Sequence, residues 1–92
     1  AVRNFCILAP PSGPVPADGT LLCSTPTQLS WNTVDTANGY DVYINNVLVA
    51  ANLPTPSYNV GVVLGPGLHT WRVVARSACG EISGPEWRFE IL

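Results

Sequence analysis

Alternation of apolar and polar residues sets the rhythm of this chain. Residues 27–31 read TQLSW, which puts Leu29 and Trp31 on one face and Gln28 and Ser30 on the other, the period of a half-buried strand. Residues 39–44, GYDVYI, repeat it, with Tyr40, Val42 and Ile44 facing in and Asp41 and Tyr43 facing out. Asn45-Asn46 then supplies residues that tolerate positive φ, so a hairpin into residues 47–50 is predicted. Beyond a Pro-bounded loop at 53–56, Tyr58 and Val60 predict a further short strand, and Gly65-Pro66-Gly67 forces a reversal. The longest strand follows: His69, Trp71, Val73 and Ala75 share one side, and Thr70, Arg72, Val74 and Arg76 the other. In the last strand Trp87, Phe89 and Ile91 face in against Glu86, Arg88 and Glu90. Arg on one outer face beside Glu on the next predicts cross-strand ion pairs, each worth about 0.2–1 kcal/mol.

No apolar repeat of the helical kind runs for three turns without one of the nine Pro or eight Gly. Short strands with turn signals between them and no helix imply an all-β, two-layer antiparallel sandwich of about seven strands. Its predicted core is Leu29, Trp31, Tyr40, Val42, Ile44, Leu64, Trp71, Val73, Ala75, Trp87, Phe89 and Ile91.

At 92 residues the chain has room for one such core. No apolar run approaches the roughly 20 residues that cross a bilayer, so membrane insertion is not expected. The N-terminus lacks the basic stretch and apolar core of a signal peptide, and reads as the start of a mature chain. Charged residues are 11 % and Lys is absent, against about 25 % in an ordinary soluble domain. Four Arg neutralise few phosphates, which argues against nucleic acid as a partner. A net charge of −2 leaves little repulsion between copies, a condition that favours association, although many Thr- and Asn-rich β-domains share it.

Catalytic and metal chemistry find little footing. The three cysteines, Cys6, Cys23 and Cys79, contain no CxxC pair and have one His to join them, too few for a closed zinc site. An odd number leaves one thiol over, free or bonded to another chain. His69 has no Ser or carboxylate beside it on its strand face, and Cys79 lies roughly 30 Å of extended chain away. Glu86 and Glu90 occupy an outer strand face, where solvated charges belong, and not a sugar-cleaving cleft. Asp35, Asn38 and Asp41 suggest a calcium loop, but Ala37 and Gly39 interrupt the alternate ligands and a turn is the better reading. No catalytic residue, metal or cofactor is predicted. Trp31, Trp71 and Trp87 have core parity, which leaves Tyr43 as the aromatic with outward parity for a sugar ring. The N-glycosylation sequon is absent, while Thr25-Pro26 and Thr55-Pro56-Ser57 are candidates for O-linked glycan.

LSW at 29–31, GYDVYI at 39–44, LGPGLHTWRVVA at 64–75 and GPEWRFEI at 84–91 together resemble fibronectin type III domains, an immunoglobulin-like sandwich. The versions in bacterial secreted enzymes and surface proteins, which often open with PADG as at 16–19, are the most similar. The resemblance covers residues 10–92. It implies an extracellular or cell-surface location and a role as a structural, adhesive or filament-building module. His69 stands where the family usually has a corner Tyr, and no Arg-Gly-Asp triplet is present, so integrin binding is not carried over. The family topology places the chain's beginning and the loop after the His69 strand at one end, with Cys23 near the other. That implies Cys6 with Cys79 as the disulfide, if one forms within the chain.

Residues 1–9, AVRNFCILA, precede the domain and are apolar at Val2, Phe5, Cys6, Ile7 and Leu8. Such a segment needs burial. It either folds onto its own sandwich as a first strand or adds as a strand to a neighbour, a head-to-tail contact that does not close and builds a fibre. The expected partners are other protein domains, foremost copies of this chain. The other reading is a spacer or carbohydrate-binding accessory module of a secreted polysaccharide-degrading enzyme, with Tyr43 as its contact.

Overall fold

The computed structural model describes residues 9–61, 63–78 and 80–92. Every regular element among them is a strand: β1 (Thr20–Leu22), β2 (Gln28–Ser30), β3 (Gly39–Ile44), β4 (Val47–Leu53), β5 (Ser57–Asn59), β6 (Gly67–Ser77), β7 (Gly80–Ser83) and β8 (Trp87–Ile91). The larger sheet has the order β1-β8-β6-β3-β4, with β7 also on β6, and the smaller pairs β2 with β5. A bridge between Val15 and Ser30 lays residues 12–15 along the other side of β2.

β6 is the spine, because its 11 residues can hold a neighbour on each side along their length. One side pairs antiparallel with β3, from Gly39↔Arg76 to Ile44↔Trp71. The other side takes β8 and then β7. One last strand is expected from the sequence, and the structure carries two pieces on that side of β6, β7 and β8. Gly84-Pro85-Glu86 separates them. Pro85 has no N–H for a ladder, and Gly84 packs so closely on Pro11 that a Cβ there would meet its ring at 3.1–3.2 Å.

β1 is absent from the sequence reading, since its three residues, TLL, are too few to show a period. It pairs parallel with β8, from Thr20↔Phe89 to Leu22↔Ile91, so the larger sheet is not wholly antiparallel. Asp18 Oδ1 accepts the Arg88 N–H at 2.9 Å and the Gly19 N–H donates to the Arg88 carbonyl at 2.8 Å. These bonds seat the chain as it leaves the smaller sheet for the larger.

The core lies between the sheets. Leu29 comes from the smaller one, and Val42, Val73, Ala75, Trp71 and Phe89 from the larger, all buried. Trp31 stands 5.4 Å from Tyr40 and 6.2 Å from Trp71, and Trp71 stands 4.7 Å from Trp87. This aromatic row stitches the layers, each pair adding about 0.5–1.5 kcal/mol to burial. Ile44, Trp87 and Ile91 are buried with them. Leu64 is displaced to its rim, half-buried, with its amide held by Thr25 Oγ1 at 2.8 Å. Val34, outside every alternating stretch, joins the core and donates its N–H to the Tyr40 hydroxyl at 2.9 Å.

Candidate functional site

Asp41, Tyr43, Arg72 and Arg76 sit on the outer face of the larger sheet, and the fold uses each of them. Asp41 has the outward parity that the sequence predicts, yet it is 2 % exposed. Its Oδ1 accepts the Asn52 N–H at 2.9 Å and its Oδ2 the Arg76 Nε–H at 2.5 Å. Arg76 also reaches Glu81 at 3.2 Å. The hydrogen bond to Asp41, then the charges of Asp41 and Glu81, hold Arg76 above the ordinary arginine pKa. A carboxylate with both oxygens engaged by the protein is a strut and not a free acid.

The cross-strand pairs expected between Arg and Glu of the two long strands do not form in that way. Register places Thr70 opposite Arg88 and Leu68 opposite Glu90, whereas Arg76 lies opposite Glu81 of β7. Both ion pairs recorded among the described residues belong to Arg76. Glu86 and Glu90 are exposed, and Asp35 lies in an exposed turn.

Tyr43 is half-buried with the Arg72 guanidinium carbon 4.0 Å from its ring centroid, because the two residues are paired across β3 and β6. One face of the ring is thereby covered by a cation. His69 is likewise spoken for: its Nδ1 accepts from Asn45 Nδ2 at 2.9 Å and its Nε2–H donates to the Gly65 carbonyl at 2.7 Å. Asn45 Oδ1 accepts the Thr70 N–H at 3.0 Å, which orients the amide and so the imidazole tautomer. This histidine clamps a hairpin turn to the start of β6. Among the described residues no three of His, Cys, Asp and Glu converge.

Val2, Phe5, Cys6, Ile7 and Leu8, the candidate assembly residues, lie outside the described residues, as does Cys79 and with it the candidate Cys6–Cys79 bond. Cys23 is exposed with a free thiol. It follows β1 at the end of the sandwich where the Leu92 N–H donates to the Leu22 carbonyl at 2.9 Å. Ser12 lies beside Asn32, past the opposite end of β2, so Cys23 and the incoming chain stand at opposite ends.

What the sequence reading did not single out is a sheet edge. A strand edge presents unpaired N–H and C=O groups, and proteins usually blunt it with Pro, charge or brevity. Residues 12–15 are flanked by Pro11 and Pro16 and contain Pro14; β5 is three residues long behind Pro54 and Pro56; β1 is three residues long. β4 is seven residues long, VLVAANL, with neither Pro nor charge, and among the described residues it terminates the larger sheet. Val47, Leu48 and Val49 are 60, 49 and 37 % exposed. The absence of Lys from the whole sequence was the available signal, since Lys is the commonest edge guard.

No protein-family model matches the chain, and no curated protein matches it. Solved structures do. An Fn3-like protein from Clostridium thermocellum superposes with a TM-score of 0.67 at 24 % identity, over 92 % of this chain and 94 % of that one. CopC from Methylosinus trichosporium OB3b superposes with a TM-score of 0.65 at 12 % identity, over 89 % of this chain and 91 % of that one. The fold is a fibronectin type III-like, immunoglobulin-like β-sandwich.

Proposed function

We propose that this chain is a non-catalytic structural and interaction module that works outside the cytoplasm and associates head-to-tail with copies of itself through its apolar N-terminal segment. Residues 1–9 are the connecting strand and residues 10–92 the sandwich. The observation that carries the reading is the long, uncharged, aliphatic edge of β4, where the other edges among the described residues are short or guarded. The sparse charge and the apolar run at residues 5–8 add to it. The described acids and the histidine support it from the other side, because Asp41 and His69 already have protein partners that a catalytic group would have to give up.

Sedimentation velocity over a hundredfold range of concentration tests this. The wild-type chain should grow in size with concentration, and Phe5→Asp/Ile7→Asp should stay a single chain at every concentration. Equal sizes for the two would remove the head-to-tail reading. If a disulfide forms within one copy, we propose that it joins Cys6 to Cys79. Peptide mapping without reductant checks this, and a Cys23–Cys79 bond inside one chain would refute the pairing. The sugar-binding alternative depends on the Tyr43 ring, one face of which Arg72 occupies; retardation of the chain in polysaccharide gels, lost on Tyr43→Ala, would revive it.

A further inference from the structure

The β4 edge has the shape of a receptor for one short strand. Ile44 and Val47 flank the two-residue turn at Asn45-Asn46. A flanking pair of this kind exchanges both backbone hydrogen bonds, so the amide and carbonyl of the next residue, Leu48, point away from β3. Exposed aliphatic side chains accompany them on both faces of the sheet. Val47 is in register with inward-facing Ile44, and Leu48 with outward-facing Tyr43. Register shifts between Leu48 and Ala50 and again before Leu53 bend the strand, which leaves Val47 and Leu48 as the regular edge beside the turn and keeps the site short. A guest that matches is short, uncharged, and apolar on both faces. Residues 5–8, Phe-Cys-Ile-Leu, have that composition.

Position decides whose β4 they meet. Pro11 packs on Gly84, in the column of the larger sheet that β7 and β8 occupy. Three strand spacings, β8 to β6 to β3 to β4, separate that column from the free edge, about 14 Å. Residues 5–10 span at most about 21 Å when fully extended. Crossing the chain's own sheet would leave about 7 Å, two residues of ladder, and would spend Ile7 and Leu8 on the crossing. A second copy imposes no such limit.

We infer that the β4 edge of one copy receives residues 5–8 of a second copy as an added strand, a surface that rests on the head-to-tail reading above and names its acceptor. Main-chain bonds to Leu48 supply affinity, and the aliphatic side chains on the two faces supply the match. The contact joins different surfaces of the two copies, so the pair keeps one free donor and one free edge.

Two full-length variants test it by complementation. Phe5→Asp/Ile7→Asp disables the donor, and Leu48→Lys/Val49→Lys guards the edge at exposed positions. Thermal unfolding verifies that both retain the sandwich. Each alone should associate at least tenfold more weakly than wild type, whereas an equimolar mixture should give a two-chain complex that grows no further. If the Lys variant assembles as wild type does while the Asp variant does not, the head-to-tail reading stands and β4 is not the acceptor. If the Asp variant still dimerises and the Lys variant does not, two β4 edges pair with each other and the donor assignment is wrong. If neither variant changes the wild-type state, both readings fall. Should the Lys variant not fold, hydrogen exchange of the unaltered chain decides: the Leu48 amide should exchange at least tenfold more slowly in concentrated than in dilute solution, and an equal rate overturns the inference.

Discussion

Asp41 shows how little a residue's parity says about its surroundings. Alternation aims it outward, and the backbone of Asn52 and the guanidinium of Arg76 then close over its carboxylate. Asp41→Ala leaves the Asn52 N–H without its acceptor, a loss of about 1–3 kcal/mol. Asp41→Asn keeps an acceptor and should lose less; urea unfolding of both variants checks the order. Arg76 is a cation whose pKa is raised in the folded chain, with the hydrogen bond to Asp41 as the main cause. Its contribution is therefore complete below the ordinary arginine pKa and lost only as pH climbs beyond it, so stability between pH 6 and about 10 should not change on its account. Leu29 is fully buried, and Leu29→Ala should cost about 2–5 kcal/mol in the same assay. The Trp71 indole N–H is buried without an acceptor among the described residues. Trp71→Phe removes that unmet donor along with the area, and should cost less than Trp87→Phe, for which no such relief is recorded.

At the scale of elements, the β3–β4 hairpin is the informative one. Its turn is legible because Asn45 and Asn46 adopt φ of 51° and 65°, values that few residues other than Asn and Gly accept without strain. Asn45 also bonds Thr70 and His69, so Asn45→Gly keeps the turn and loses the clamp while Asn45→Ala loses both. The Ala variant should be the less stable by about 1 kcal/mol, read from thermal unfolding. The irregularity of β4 is not legible, since nothing in VLVAANL marks where an extra residue is accommodated. It follows from a close approach: a Cβ on Gly39 would collide with Asn52 Oδ1, and Asn52 has φ of 55°. Gly39→Ala should destabilise the chain, and Asn52→Gly added to it should recover most of the loss. A double-mutant cycle giving no coupling between the two would show that the contact is not the cause.

For the whole molecule, the placement of ends and edges matters more than any one side chain. Cys23 and the C-terminal end of β8 share one end of the sandwich, and the incoming residues 9–12 stand at the other. The exposed Cys23 thiol should react with iodoacetamide in the native chain without denaturant, in step with a free model thiol; strong protection would place it in a contact between copies. Polarity of ends, an open edge and few charges are the ingredients of linear association, which is why the variants with Asp in the N-terminal segment and Lys on β4 are informative together and less so apart. By itself the sequence determined the faces of the main strands, the Asn-Asn hairpin and the two-layer, helix-free class, because side-chain parity and turn chemistry are properties of a few neighbouring residues. Only the tertiary structure decided that β1 runs parallel to β8, that Asp41 is sealed by Arg76, that Arg72 covers Tyr43 and that β4 is the edge left open among the described residues. Each of these joins residues tens of positions apart, and a local pattern carries no record of which distant strand will lie beside it.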